Sequence, residues 1–308
     1  MKKIVRIATR QSELALWQAR HVAGLLQQRY PDLAVELLPL VTQGDRILDR
    51  PLAAIGGKGL FLKELEVALL DGEADLAVHS MKDVPVIPTP DLLLDVVLER
   101  ANPFDALLGR KGEKLADLPA GSRIGTSSLR RQCQLLALRP DLRPADLRGN
   151  VNTRIRKLHE GHYEAIILAR AGLERLGLGH LVNETLEAPD WLPAATQGTI
   201  CLQYRATDQE LQKLLRPLNH ELTALCSTTE RAVSLRLQGS CQLPLAVFAR
   251  LEGGQLALDA LVGTPDGSRI LRSRRRGAAG QASQMAAAVA DDLVRQGAGE
   301  IIAGLGKN

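Results

Sequence analysis

Three kinds of residue in this sequence are equipped for chemistry. Asp83 stands in His79-Ser80-Met81-Lys82-Asp83-Val84-Pro85, directly after a short apolar run, where a carboxylate can steady a cation or move a proton. Lys82 beside it can hold it ionised or touch a ligand itself. A turn or helix-cap aspartate is the competing role, because Asp is common in such turns. Cys241 lies in Gln238-Gly239-Ser240-Cys241-Gln242-Leu243-Pro244, and the small neighbours leave room around the sulfur. That suits a nucleophile or an attachment point for a covalent group, against which spacing alone sets a buried structural thiol on equal terms. The third kind is arginine. Arg10 follows Thr9 and precedes Ser12, and Arg130 and Arg131 follow Thr126-Ser127-Ser128, with Arg148, Arg154 and Arg175 further on. Guanidinium meets carboxylate or phosphate through two parallel bonds, so the set favours a polyanionic small molecule over a merely solvated surface.

The elements that must position these groups are legible in the patterning. Residues 3 to 8 alternate as a strand, and the apolar positions from Leu14 through Val22, Leu25 and Leu26 recur at helical spacing until Pro31. Val35 to Val41 reads as a strand, Leu60 to Leu70 as a helix closed by Asp71-Gly72, and Ala74 to His79 as a strand. This alternation favours parallel strands joined by helical crossovers. The plan recurs from Ser122, with Arg123 to Thr126 a strand and Ser127 opening a helix to Leu138. Leu70-Asp71-Gly72-Glu73-Ala74-Asp75 is echoed by His159-Glu160-Gly161-His162-Tyr163-Glu164, so two like-built α/β domains are expected. Thr9 to Ser12 and Thr126 to Arg131 then fall at the carboxyl ends of strands, where helix N-termini offer N–H groups to anions. The tail differs: a helix from Glu221 to Leu237, strands at Leu245 to Leu251, Gln255 to Val262 and Ser268 to Arg274, and a helix from Gln281 to Gln296. An antiparallel meander in a third, smaller α+β domain is expected.

Composition narrows the function. The chain has 308 residues, 45% hydrophobic and 24% charged, which excludes collagen-like and broadly disordered classes. Only 3% of residues are aromatic and the net charge is +4, so neither a base-stacking platform nor a duplex-binding surface is expected. No apolar stretch reaches the length of a signal peptide or a membrane span, and a cytoplasmic protein is expected. The four cysteines form no C-x-x-C pair, and His159 and His162 have no third ligand nearby, so no metal is expected. Cys133, Cys201 and Cys226 sit in partly apolar segments and read as core thiols. The long polar connection from Gln43 to Gly59 suits a lid. Its Gly56-Gly57-Lys58-Gly59 lacks P-loop spacing, and Lys58 is either a carboxylate partner or a solvated hinge lysine.

Several segments together carry a family resemblance: Arg6-Ile7-Ala8-Thr9-Arg10-Gln11-Ser12, Gly56 to Phe61, His79 to Pro85, Gly125 to Arg131, Arg148-Gly149-Asn150-Val151-Asn152-Thr153-Arg154 and Gly239-Ser240-Cys241. In this order and over the whole chain they resemble the hydroxymethylbilane synthase, or porphobilinogen deaminase, family. The resemblance implies an α/β protein of two similar doubly wound, periplasmic-binding-protein-like domains (residues 1–98 with 199–216, and 104–192). It adds a smaller C-terminal α+β domain, residues 221–308, with a three-stranded antiparallel sheet. It further implies a transferase joining four porphobilinogen molecules head to tail, with release of ammonia, to give hydroxymethylbilane in tetrapyrrole and haem synthesis. The cofactor it implies is a dipyrromethane bound by a thioether to Cys241. The resemblance places Ser80, Lys82, Asp83, Thr126, Ser128, Arg130, Arg131, Arg148 and Gly149 at the cofactor. Arg10, Ser12, Lys58, Arg148, Arg154, Arg175 and Gln197 go to the substrate, and catalysis to Asp83. A monomer without nucleic-acid or membrane partners is expected. The rival reading is a non-catalytic anion-binding or solute-binding module, which would not need the unhindered thiol. Some residues depart from the family pattern. Ala54 stands where bacterial relatives often carry lysine, and Thr196 to Gln203 keeps Gln197 and Gly198 but replaces small glycines and a glutamate. Leu222 and Cys226 replace more polar residues.

Overall fold

The computed structural model describes residues 2–46, 62–237 and 243–305, and the chain divides into two compact units. The first comprises Met1–Ala101 with Thr199–Ala224, the second Asn102–Gly198 with Leu225–Asn308.

In the first unit, β1 (Ile4–Arg10) alternates as expected, sending Val5 and Ile7 to one face and Ala8 to the other. α1 (Glu13–Arg29) starts because Ser12 accepts a hydrogen bond from the Ala15 N–H at 3.3 Å, with Glu13 in its first turn and Arg29 in its last, both favourable to the helix dipole. Its buried residues Ala19, Val22 and Leu26 pack on Val5 and Ile7. β2 (Ala34–Leu40) and a short α2 (Gln43–Arg46) follow, then α3 (Lys63–Leu70), which covers the opposite face with Leu65, Ala68 and Leu69 against Ala8. β3 (Leu76–Ser80) is buried along nearly its whole length because both sheet faces are covered. β4 (Leu92–Val97), β10 (Ile200–Arg205) and α7 (Gln209–Leu215) complete the unit.

The sheet runs β2-β1-β3-β10-β4. The expectation of parallel pairing holds for β1 with β2 and β3, but β10 runs antiparallel to both β3 and β4. The reason is topological. β10 is supplied from far along the chain rather than through a helical crossover from its neighbour, so nothing forces it to run parallel.

The second unit repeats this plan with β5 (Asp105–Gly109), β6 (Arg123–Gly125), α4 (Leu129–Leu138), β7 (Arg143–Ala145), α5 (Val151–His159), β8 (Ala165–Ala169), α6 (Arg170–Arg175) and β9 (Glu184–Leu186). Its order is β7-β6-β8-β5-β9, with β6 parallel to β7 and β8, and β5 antiparallel to β8 and β9. Each five-stranded sheet is therefore three parallel strands, then an antiparallel strand from outside the βαβ run, then a fifth strand antiparallel to that one.

The same unit holds α8 (Glu221–Arg236) beyond its first residues, an antiparallel meander of β11 (Leu245–Glu252), β12 (Gln255–Gly263) and β13 (Ile270–Gly277), and helices α9 (Ala282–Arg295) and α10 (Ala298–Leu305). β12 is buried on both faces. Leu256, Leu258, Ala260 and Val262 meet Met285, Val289 and Leu293 of α9, while Leu261 meets Phe248, Cys133 and Leu192 on the other side. β13 begins at Ile270 rather than Ser268, because Asp266 takes the Ser268 N–H and the Thr264 N–H donates to the Arg269 carbonyl to close a turn there.

Candidate active site

In the first unit the carboxyl ends of β1 and β3 meet the start of α1. Together they enclose a hollow of about 70 Å³ lined by Arg10, Ser12, Gln18, His79, Ser80 and Asp83 among others. Four sequence-predicted residues, Arg10, Ser12, Ser80 and Asp83, are brought to one place from two distant stretches of chain. Ser12 spends one lone pair capping α1 and keeps its hydroxyl hydrogen. Ser80 is held by Gln18, whose Nε2 donates to its Oγ at 2.8 Å. Asp83 closes a short 3-10 turn, Met81–Asp83, and is exposed, while Lys82 beside it is half-buried.

His79 is the buried titratable group of the hollow, 6% exposed. Its Nε2 lies 2.9 Å from Gln203 Oε1, and Gln203 Nε2 donates to Glu66 Oε1 at 2.8 Å. Burial, with Arg10 adding to it, pushes the imidazole down to about 4.

In the second unit, β6 ends at Gly125 and the chain turns through Thr126 to Ser128 into α4. Gly125 permits this turn, since a Cβ there would lie 2.9 Å from Ile166 and 3.1 Å from Leu147 and Tyr163. Thr126 is buried and its Oγ1 accepts the Ser128 N–H at 3.2 Å. Ser128 stands at the N-cap of α4 without capping it through its side chain. Ser127 and Leu147 exchange two hydrogen bonds, Oγ to carbonyl at 3.2 Å and N–H to Oγ at 3.0 Å, which tie this turn to the loop carrying Arg148 and Gly149. Asn150 caps α5 by accepting the Thr153 N–H at 2.8 Å, and Arg154 Nε donates to the Gly149 carbonyl at 2.8 Å. Arg175 donates to the Gly198 carbonyl at 2.7 Å, and burial pushes its guanidinium down to about 10.

Arg130 and Arg131 are buried, at 4% and 6% exposed, around a residue that sequence reasoning missed. Asp105, fully buried at the start of β5, accepts from Arg130 Nη1 at 2.7 Å, Arg131 Nη2 at 2.7 Å, Trp191 Nε1 at 2.8 Å and Gln197 Nε2 at 2.9 Å. Burial alone would raise its carboxyl, but the two guanidinium charges outweigh that and hold it far below the usual range. Two cations against one anion leave a net positive charge, and the buried Arg130 Nε has no hydrogen-bond partner. A charged residue heading the apolar run Asp105-Ala106-Leu107-Leu108 was the available signal.

Cys241 and Lys58 lie outside the described residues. Cys133, Cys201 and Cys226 are buried free thiols, and burial pushes Cys133 up to about 12, which leaves it inert. Among the described residues no group of three or more His, Cys, Asp or Glu is placed to hold a metal ion. A larger hollow of about 400 Å³ beside α5, lined by Asn152, Ile155, Arg156, His159, Glu160 and Leu178, contains none of the expected site residues.

Comparison with known proteins adds the following. Residues 5–213 match the family model described as porphobilinogen deaminase, dipyromethane cofactor binding domain, and residues 224–295 match porphobilinogen deaminase, C-terminal domain. Solved structures with a similar course include the VFT2 domain of BvgS from Bordetella pertussis at 16% identity, covering 69% of this chain and 85% of that one, with a TM-score of 0.40. The periplasmic aliphatic sulphonate binding protein SsuA from Escherichia coli matches at 16%, covering 77% and 71%, with a TM-score of 0.40. The probable amino-acid transporter binding protein YtmK from Bacillus subtilis matches at 13%, covering 73% and 95%, with a TM-score of 0.43.

Proposed function

This chain belongs to the porphobilinogen deaminase family, and we propose, residue by residue, how its side chains carry out that family's reaction. The protein is a transferase that condenses four porphobilinogen molecules, with loss of ammonia, into hydroxymethylbilane for tetrapyrrole synthesis, using a dipyrromethane cofactor. When bound, the dipyrromethane supplies the pyrrole carbon to which substrate units are joined.

The residues present fit that group. Its acetate and propionate arms need cationic and N–H donors, and the second unit sets two guanidiniums against the one carboxylate of Asp105, with the buried Arg130 Nε without a hydrogen-bond partner. Thr126, Ser128, Arg148 and Gly149 add hydroxyls, a guanidinium and backbone at helix starts. Cys241 is the proposed thioether anchor, and Ser80, Lys82 and Asp83 are further proposed cofactor-binding residues.

Substrate carboxylates fall to Arg10, Ser12, Lys58, Arg148, Arg154, Arg175 and Gln197 in this reading. Arg175 keeps its charge at neutral pH even with its lowered pKa of about 10. Asp83 is the proposed catalytic residue. Loss of ammonia leaves an electron-poor substrate carbon, and a carboxylate next to the pyrrole N–H groups stabilises that cation and can take the proton released as the new bond forms. The observation that carries the reading is the convergence of Arg10, Ser12, Ser80 and Asp83 on one hollow at strand carboxyl ends.

We further propose a cytoplasmic monomer. No helix among the described residues is long and apolar enough to cross a membrane. Light scattering on a sizing column tests the oligomeric state. The decisive experiment for the site is intact mass after exposure to porphobilinogen, followed by digestion. Added mass of two substrate units less two ammonia, on the peptide holding Cys241, is expected; the same mass on another peptide overturns the anchor.

A further inference from the structure

The proposed reaction employs the carboxylate and the arginine of the first unit's hollow but leaves its buried imidazole unused. Around that ring, the hydrogen-bond pattern fixes a chemical state. Glu66 Oε1 accepts from Gln203 Nε2 at 2.8 Å and from Thr89 Oγ1 at 2.9 Å, so the amide nitrogen of Gln203 must face the carboxylate and its oxygen must face His79. An amide oxygen only accepts, so the proton of the 2.9 Å contact belongs to His79 Nε2. A neutral imidazole carries one N–H, and Nδ1 is then a bare lone pair.

We propose that His79 is a substrate-binding residue of the site, whose unprotonated Nδ1 accepts a hydrogen bond from a nitrogen donor of porphobilinogen, its pyrrole N–H or its ammonium. This inference rests on the reading of the hollow given above and deepens it. The substrate has two chemical ends. Its acids call for donors, which Arg10, Ser12 and Ser80 provide, and its nitrogens call for acceptors. Among the side chains lining the hollow, Asp83 is one anionic acceptor, exposed at the rim, and His79 is a neutral acceptor buried within it.

The groups packed around the ring keep it in that state. Arg10 at the end of β1 disfavours a second positive charge. Ser80 and Gln18, from β3 and α1, bond to each other. Cys201 Sγ on β10 lies 3.7 Å from the His79 carbonyl, and Lys82 and Asp83 follow in the turn after β3. Glu66 on α3 is the carboxylate that would favour an imidazolium, but it reaches His79 only through Gln203. Burial then keeps the ring neutral down to about pH 4.

The test uses the cofactor-loaded enzyme, labelled with ¹⁵N-histidine, and the His79→Gln variant to assign the ring among the chain's six histidines. The ring at neutral pH should show a pyrrole-like Nε2 and a pyridine-like Nδ1, and porphobilinogen should shift Nδ1 towards the hydrogen-bonded range. Kinetically, His79→Gln should raise KM about tenfold, the worth of one such bond, with a smaller change in kcat. His79→Asn, whose amide can reach the Nδ1 position, should recover part of it. Gln203→Glu should give a KM that worsens as pH falls from 8 towards 6, where the wild type is flat, because a carboxylate partner would let Nδ1 protonate. The opposite tautomer, an imidazolium at neutral pH, or an Nδ1 signal unmoved by substrate in an enzyme that turns over porphobilinogen, overturns the inference. A wild-type protein that neither gains mass nor consumes porphobilinogen overturns the functional reading and the inference with it.

Discussion

Asp105 Oδ1 lies 2.7 Å from Nη2 and 3.1 Å from Nε of Arg131, so one buried carboxylate oxygen takes two arms of a guanidinium whose third, Nη1, donates to the Ile167 carbonyl at 2.8 Å. Asp105 is thus the counter-charge around which the second unit's interior arginines are set, and its neighbours Trp191 and Gln197 fill its remaining acceptor sites.

Removing that counter-charge should be costly. Asp105→Ala would leave two guanidiniums buried and unpaired, and a loss of about 3 to 5 kcal/mol is expected in urea denaturation of the loaded enzyme. Asp105→Asn, which keeps the shape and part of the hydrogen bonding, should cost less. Equal stability of Asp105→Ala and wild type would show that the pair is not the organising contact.

Acid should act on this protein in two separate windows. His79 has a folded pKa of about 4 against 6.5 unfolded, so the unfolded chain binds the proton first. Stability is fully present above about pH 6.5 and is lost as pH falls to about 4, by up to about 3 kcal/mol. Asp105 is depressed instead from 3.8, so its contribution is lost only below that value. Denaturation curves of wild type and His79→Gln between pH 7 and pH 4 should converge as pH drops; parallel curves would remove His79 as the cause.

Two glycines should respond in opposite directions to alanine. Gly149 has φ +110°, and a Cβ there would sit 2.7 Å from Thr153 Cγ2, so Gly149→Ala should lose about 1 to 3 kcal/mol. It should also disturb Arg154, which bonds the Gly149 carbonyl. Gly24 is exposed within α1, and a Cβ there would meet nothing within 4 Å, so Gly24→Ala should gain about 0.5 to 1 kcal/mol. Thermal melts of the two variants read the difference directly.

Asp83→Asn should keep the fold and still load the cofactor slowly, but lose about a hundredfold or more in turnover, because the amide cannot balance a developing positive charge. Single-turnover kinetics with porphobilinogen checks this, and a near-normal rate would overturn the catalytic role proposed for Asp83.

The strand and helix alternation, the repeated α/β plan, the meander at the tail and the motif residues were legible because each depends on local periodicity or on neighbours in sequence. Ser12 and Asn150 cap their helices through hydrogen bonds three residues long, and such short-range chemistry is written in the chain itself. Tertiary structure alone decided which way β10 and β5 run, because each is contributed to its sheet from outside the local run. It alone paired Asp105 with two arginines about 25 residues away and brought Glu66, His79 and Gln203 into one chain of hydrogen bonds. Pattern shows which residue is apolar or charged. Only the folded chain, by burying a charge or fixing which nitrogen keeps its proton, sets the chemical state in which that residue works.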